Sequence, residues 1–289
     1  MFKIGLNTWL WADLFSEKDI YCIGKAYELG AEALDISINN PYSFPTEKVV
    51  EEISHCKGME IITSTAMPID CNAISTSVQE RENALNYMKR LIDVSAQLGS
   101  RIIGGVNYAA SGYHSGKLRT EQEVEWCVKY LRQAAEYAAE YSISIALEPV
   151  KRFETHFLNT AEQALELIQY AESPNLKIQL DTFHMNIEEA DLSQAIESCG
   201  DKLIHMHLVD NNRGVPGMGH IPWLDVLRSL KKIGYEGAGC IETFNPTTLE
   251  RTCSATYLTR KFADSPEELA EKGLAYLKAA RTMIYSEQK

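Results

Sequence analysis

Eight short apolar runs alternate with eight longer amphipathic stretches along this 289-residue chain. The runs fall at 3–6, 33–36, 60–64, 101–106, 144–148, 177–181, 203–208 and 238–242. Helical periodicity occupies 17–29, 46–57, 78–98, 120–141, 161–172, 188–198, 222–233 and 266–285. A strand followed by a helix, eight times over, calls for a parallel sheet covered by its own helices, and eight such units favour a closed barrel over an open sheet. The expected fold is therefore α/β, a single-domain (β/α)8 TIM barrel over 1–289, since such barrels use about 250 residues as one domain. Local signals agree. Thr160-Ala-Glu-Gln163 and Ser265-Pro-Glu-Glu268 read as capping boxes, the second with Pro266 at the first helical position. Gly30, Gly200 and Gly234 each stand between a helix and the next strand. The stretch 244–264 is too long for an ordinary connection and is expected to be functional, as a lid.

Strand alternation sorts the side chains. In Ser144-Ile-Ala-Leu-Glu148, Ser144, Ala146 and Glu148 share one face, while Ile145 and Leu147 share the other. The same split holds in Gln179-Leu-Asp181 and Cys240-Ile-Glu242. Large apolar residues should face the helices, and small or polar ones the barrel axis. Four consecutive strands thus end in Glu148, Asp181, His207 and Glu242, at the C-terminal face where barrel active sites are built. An acid at one strand end is commonly a solvated loop residue or a helix cap. Four at equivalent places on neighbouring strands about 4.8 Å apart converge on one point. Three carboxylates there repel unless protonated or neutralised by a cation. Three oxygen donors and one imidazole suit one divalent ion per chain, with Mn2+ first and Co2+ or Mg2+ as alternatives. His205 shares the inward face one layer deeper and reads as a core histidine beneath the site.

Composition narrows the class. Hydrophobic residues make up 45% of the chain, enough for a large core. The net charge of −12 argues against nucleic acid and anionic membranes as partners. No run of 18 apolar residues is present, so no membrane span is expected. Seven cysteines, an odd number without a CxxC, fit reduced thiols rather than a disulfide frame. The start MFKIGLNTWLWADLF lacks the pattern of a signal peptide, which makes a cytoplasmic location the expectation.

The segments Leu147-Glu-Pro-Val-Lys-Arg-Phe-Glu154, Leu180-Asp-Thr-Phe-His-Met-Asn-Ile-Glu-Glu189, His205-Met-His207 and Ile241-Glu-Thr-Phe244 resemble those of the ketose 3-epimerases. These are the D-tagatose and D-psicose (D-allulose) 3-epimerases, sugar isomerase barrels similar to xylose isomerase. The resemblance implies that Glu148, Asp181, His207 and Glu242 are metal ligands and that Glu148 and Glu242 are also the catalytic acid/base pair. It implies substrate contacts for His184, for Arg213 and for Glu154, the last at O1 or in support of the catalytic glutamate. Taken alone, Glu154 and Arg213 would each more often belong to a surface ion pair. The implied reaction is epimerisation of a free ketose at C3 through an enediolate, with one glutamate on each face of the sugar. The implied partners are the ketose and further copies of the chain, as a dimer or tetramer. Departures from the family pattern are Lys151, where many members carry Asn, and the segment following Glu242. Trp9 and Trp11 after the first strand and the 107–113 loop are expected around the distal sugar carbons.

Competing readings are a related sugar or sugar-phosphate isomerase and a keto-inositol dehydratase on the same barrel. Arg251, Arg260 and Lys261 are candidates for a phosphate site. An endonuclease barrel with several zincs fits poorly with seven histidines and an acidic chain, and Pro222 interrupts the glycine spacing of a dinucleotide site. A non-catalytic sugar-binding barrel would have no need of two bases.

Overall fold

The computed structural model describes residues 1–244 and 260–287, and the alternation closes into a barrel of eight parallel strands in sequence order. They are β1 (Lys3–Asn7), β2 (Ala33–Ser37), β3 (Glu60–Ala66), β4 (Ile102–Val106), β5 (Ser144–Leu147), β6 (Leu176–Asp181), β7 (Leu203–His207) and β8 (Ala238–Ile241). β8 pairs back onto β1 with Leu6 beside Ile241, so no strand edge is left open. The helices are α1 (Tyr21–Glu28), α2 (Thr46–His55), α3 (Val78–Gln97), α4 (Glu121–Glu140), α5 (Ala161–Ala171), α6 (Thr182–Glu188), α7 (Leu192–Cys199), α8 (Trp223–Lys232) and α9 (Pro266–Ser286). None of them is long and apolar enough to cross a membrane.

The expected split of side chains holds. Ile145, Leu147, Ile178, Leu180, Met206 and Ile241 belong to the main core between sheet and helices. Ala33, Ile62, Ala238 and Cys240 form a separate small cluster. Large groups outside and small ones on the axis leave room for polar side chains to cross the barrel. Gly104 and Gly105 on β4 show this directly. A Cβ on Gly104 would stand 1.9 Å from Gln179 Oε1, and one on Gly105 would stand 2.2 Å from the Thr65 carbonyl oxygen. Gly105 also adopts φ +87°, a region that favours glycine. Its N–H donates to Gln179 Oε1 at 2.9 Å, which fixes the glutamine across the barrel interior.

Two expectations about helices need correction. The helix predicted over 188–198 begins only at Leu192, as α7, and the segment before it holds a further short helix, α6, that the periodicity did not predict. α6 follows β6 at once, capped by Asp181, whose carboxylate accepts the Phe183 N–H at 2.7 Å. α7 then begins after Asp191, whose side chain accepts the Gln194 N–H. Seven residues with Asn near the end carry too little periodicity to be read as a helix; a single N-cap nucleates it. The predicted box at Ser265 is also offset. Ser265 Oγ accepts the Glu268 N–H, but the Glu268 carboxylate reaches back to the N–H of Asp264. The box at Thr160 is formed as expected, and Gly30, Gly200 and Gly234 all have positive φ. The six cysteines in the described residues are buried and free. Cys253, Arg251 and most of the 244–264 stretch lie outside the described residues.

Candidate active site

The ends of β6 and β7 are stapled together by one hydroxyl. Thr182 Oγ1 accepts the Val209 N–H at 2.9 Å and donates to the Val209 carbonyl at 2.6 Å. A register shift between Ile178 and Gln179 then brings Asp181 level with His207. Such an irregularity re-aims the side chains beyond it. Glu148 and Glu242 stand one residue past β5 and β8. All four are buried, at 5% exposed or less for Glu148, Asp181 and His207 and 7% for Glu242.

They meet around one ring nitrogen. His207 Nδ1 lies 3.5 Å from Glu148 Oε1 and 3.4 Å from Glu242 Oε1. Donor atoms of Asp181, His207 and Glu242 all lie within 4.8 Å of one another, as do those of Glu148, Asp181 and His184. Burial and the neighbouring Glu242 and Glu148 raise the Asp181 carboxyl above the usual range, against the pull of Arg213. Burial disfavours charge on His207, but Glu242, Asp35 and Glu148 outweigh it and raise its pKa. Burial would raise Glu242 too, yet His207 and Arg213 hold it low. Three buried carboxylates whose oxygens converge beside an imidazole form a donor set that suits a hard divalent cation.

Arg213 reaches into this cluster. Its Nη1 donates to Glu242 Oε2 at 2.6 Å and to Asp181 Oδ2 at 3.0 Å. The guanidinium is flanked by two aromatic rings, Phe183 at 4.2 Å and Phe244 at 5.3 Å. Its backbone has φ +63°, a strained value for an arginine. The surrounding loop enforces it. Arg213 N–H donates to the Asp210 carbonyl, and Thr243 Oγ1 donates to the Arg213 carbonyl. Asp210 itself is fully buried and accepts four hydrogen bonds, from the N–H groups of Asn211, Gly217 and Ile221 and from Trp223 Nε1. Each such charged acceptor removes a buried donor's desolvation cost of about 1–3 kcal/mol, so this carboxylate fixes the loop that carries Arg213.

His184 projects from α6 towards the same pocket. Its Nδ1 accepts the Lys151 N–H at 3.1 Å, which leaves the proton on Nε2, facing Asp181 Oδ2 at 3.6 Å. Burial, then Arg213 and Lys151, push its pKa well down, so the ring is neutral. Glu154 is paired with Lys151, as an ion-pair reading of it would have it, yet it also lines the pocket. The pocket is a cavity of about 460 Å3 over the strand ends, bounded by Glu148, His184, His207, Arg213 and Glu242 on one side and by Trp9, Ser37, Asn39 and Thr65 on the other. Trp9 packs against Phe244 with ring centroids 5.4 Å apart and the rings tilted by 40°. Trp11 is instead buried, its Nε1 donating to Glu267, so only one of the two predicted tryptophans lines the pocket. Of the 107–113 loop, Ser111 and Gly112 line it. Arg260 lies over Phe262 and Lys261 pairs with Asp264, so both are engaged locally.

Sequence reading passed over Asp35 and Gln179, which lie directly beneath His207. Asp35 Oδ2 is 2.8 Å from His207 Nε2, and Gln179 Nε2 is 3.1 Å from His207 Nδ1. The signal was available: Asp35 alternates with Ala33 just as Asp181 alternates with Gln179.

A closed barrel with a buried cluster of acids and one imidazole at its strand ends defines a class of enzyme scaffold rather than a particular one. A family described as xylose isomerase-like TIM barrel matches residues 23–280. The chain is 30% identical over 247 residues to the D-psicose 3-epimerase of Ruminiclostridium cellulolyticum, covering 84% of each protein. It is 29% identical to the ketose 3-epimerase of Arthrobacter globiformis over 288 residues, 98% of each. A solved L-ribulose 3-epimerase superposes with a TM-score of 0.91 at 26% identity, covering 100% of this chain and 99% of that one. The chain belongs to the xylose isomerase-like TIM barrel family, among its ketose 3-epimerases.

Proposed function

We propose that this protein is an isomerase that epimerises free ketoses at C3, with Glu148 and Glu242 as the acid/base pair and Glu148, Asp181, His207 and Glu242 as the ligands of one divalent cation, Mn2+ before Co2+ or Mg2+. The observation that carries this reading is the pairing of two buried glutamates around one point. Both carboxylates stand within 3.5 Å of the same His207 nitrogen, although their strands have two others between them. They approach the pocket from different directions, as two-sided proton transfer requires. A carbon beside a ketone holds its proton firmly, so loss of that proton needs the oxyanion that forms to be stabilised. Glu148, Asp181, His207 and Glu242 would hold a divalent cation, which would supply that stabilisation and polarise the carbonyl.

The chain's own groups do the rest. One glutamate takes the C3 proton from one face, and the other delivers a proton to the opposite face. Because either can act as base, the site works in both directions. The neutral His184 presents its Nε2–H to a substrate oxygen, and Arg213 adds donors beside it. Glu154, tied to Lys151, lies at the pocket edge, suited to the O1 end of the sugar. The names of the relatives span D-psicose and L-ribulose, and the wall formed by Trp9, Ser37, Asn39 and Thr65 is where hexoses and pentoses would be told apart.

Free ketoses are expected to give higher kcat/KM than their phosphates. Arg260 and Lys261 are engaged with neighbours, and Trp9, Asp13, Ser37, Asn39 and Thr65, which also line the pocket, bring indole, carboxyl, hydroxyl and amide groups rather than a cation. The test is a panel of free and phosphorylated pentuloses and hexuloses assayed with Mn2+. A preference for a ketose phosphate would move the assignment to a sugar-phosphate enzyme, and dehydration without epimer formation would move it to a keto-inositol dehydratase.

A further inference from the structure

The imidazole of His207 has two nitrogens, and a cation can use only the one without a proton. Gln179 does not choose between them, because its amide nitrogen is 3.1 Å from Nδ1 and 3.3 Å from Nε2. Asp35 does choose. Its Oδ2 lies 2.8 Å from Nε2, while Nδ1 faces the glutamates on the far side of the ring. A carboxylate accepts and does not donate, so Nε2 must carry the proton in that contact.

Asp35 is also poorly explained by packing. It is fully buried near the barrel axis, and its side-chain contacts fall on one oxygen: Asn7 Nδ2 donates to Oδ2 at 3.1 Å, and His205 Nε2 and His207 Nε2 lie 3.3 and 2.8 Å from it. Its Oδ1 has no partner among the described residues. A buried carboxylate with an orphaned oxygen is a costly way to fill space, and an alanine or serine would suit the small axial cluster around Ala33 and Cys240 better. Its charge is what the site uses.

We propose that Asp35 is a positioning residue for the metal centre: by accepting the Nε2–H of His207 it locks the ring in the one tautomer and orientation that present Nδ1 to the cation. This rests on the metal-site reading above and deepens it. Asp35, His205 and His207 also lie close enough together to hold an ion, but the His207 nitrogen that faces Glu148 and Glu242 is Nδ1, on the side away from Asp35, so in this role Asp35 acts through the ring alone. Carboxylates placed behind metal-bound histidines raise the basicity of the ligating nitrogen, and their loss typically weakens metal binding about 10–100-fold.

The test measures Mn2+ binding to chelator-treated full-length protein by isothermal titration. It also measures the histidine ring 15N shifts of the metal-free protein at alkaline pH, above the raised His207 pKa so that the ring is neutral, with His207→Asn as the assignment control. Asp35→Ala is expected to raise the Mn2+ Kd about 10–100-fold and to remove the signature of an Nε2-protonated His207. Asp35→Asn, which keeps the shape and one acceptor oxygen without charge, should fall between the two and serves where the alanine variant does not fold. A folded variant with Mn2+ Kd within twofold of wild type and an unchanged ring pattern would overturn the role of Asp35. Failure of the wild type itself to bind Mn2+, Co2+ or Mg2+ would instead overturn the metal-site reading.

Discussion

Glu148→Gln and Glu242→Gln should each lower kcat by at least roughly 10²–10⁴-fold at saturating Mn2+, the range that general acid–base groups contribute. The amide keeps an oxygen able to face a cation and keeps the volume of the side chain. It cannot take up a proton. Both positions are buried, so water is poorly placed to substitute. The two variants should differ in binding. Glu242 Oε2 accepts from Arg213, so its loss also frees the arginine, and KM should shift more in Glu242→Gln than in Glu148→Gln. Steady-state kinetics beside elemental analysis of the same samples checks this. If either variant retained kcat within tenfold of wild type with full metal content, that glutamate would be a ligand and nothing more.

Chelation should abolish turnover, and Mn2+ or Co2+ should restore it. Three buried carboxylates meet beside Arg213, and burial, then Glu242 and Glu148, raise Asp181 above the usual range. Without a divalent ion the site is held by Arg213, the arginine proposed to contact the substrate. Stability should fall as well. A metal that binds only the folded state adds RT ln(1 + [L]/Kd), about 2.7 kcal/mol at a hundredfold excess over Kd. Thermal unfolding with EDTA, and again after adding Mn2+, reads this effect. Full activity in protein verified to be metal-free would end the metal-site reading.

The barrel was legible because its signal repeats. Each strand and each long helix carries its own alternation, and eight modest signals in the right order leave few alternatives. The cluster was legible for a related reason: Glu148, Asp181, His207 and Glu242 close their strands at matching places. α6 was not, since a seven-residue helix is set by one cap at Asp181 rather than by a periodic face. Asp35 was hidden by distance in sequence, 172 residues from His207. Only closure of the barrel makes them neighbours, and strand alternation tells which way Asp35 points but not what it meets. Glu154 shows the opposite case: taken alone it would more often belong to a surface ion pair, and it does pair with Lys151, yet it also lines the pocket.

The account turns on proton exchange at C3, and epimerisation in deuterated water reads it directly. Wild-type protein with Mn2+ should convert a ketose into its C3 epimer carrying one solvent deuterium at C3, seen by mass spectrometry and NMR, with none at other carbons. Product without solvent deuterium would contradict the two-glutamate enediolate route. It would point instead to a hydride shift or a single shielded base, with Glu148 and Glu242 left as metal ligands alone.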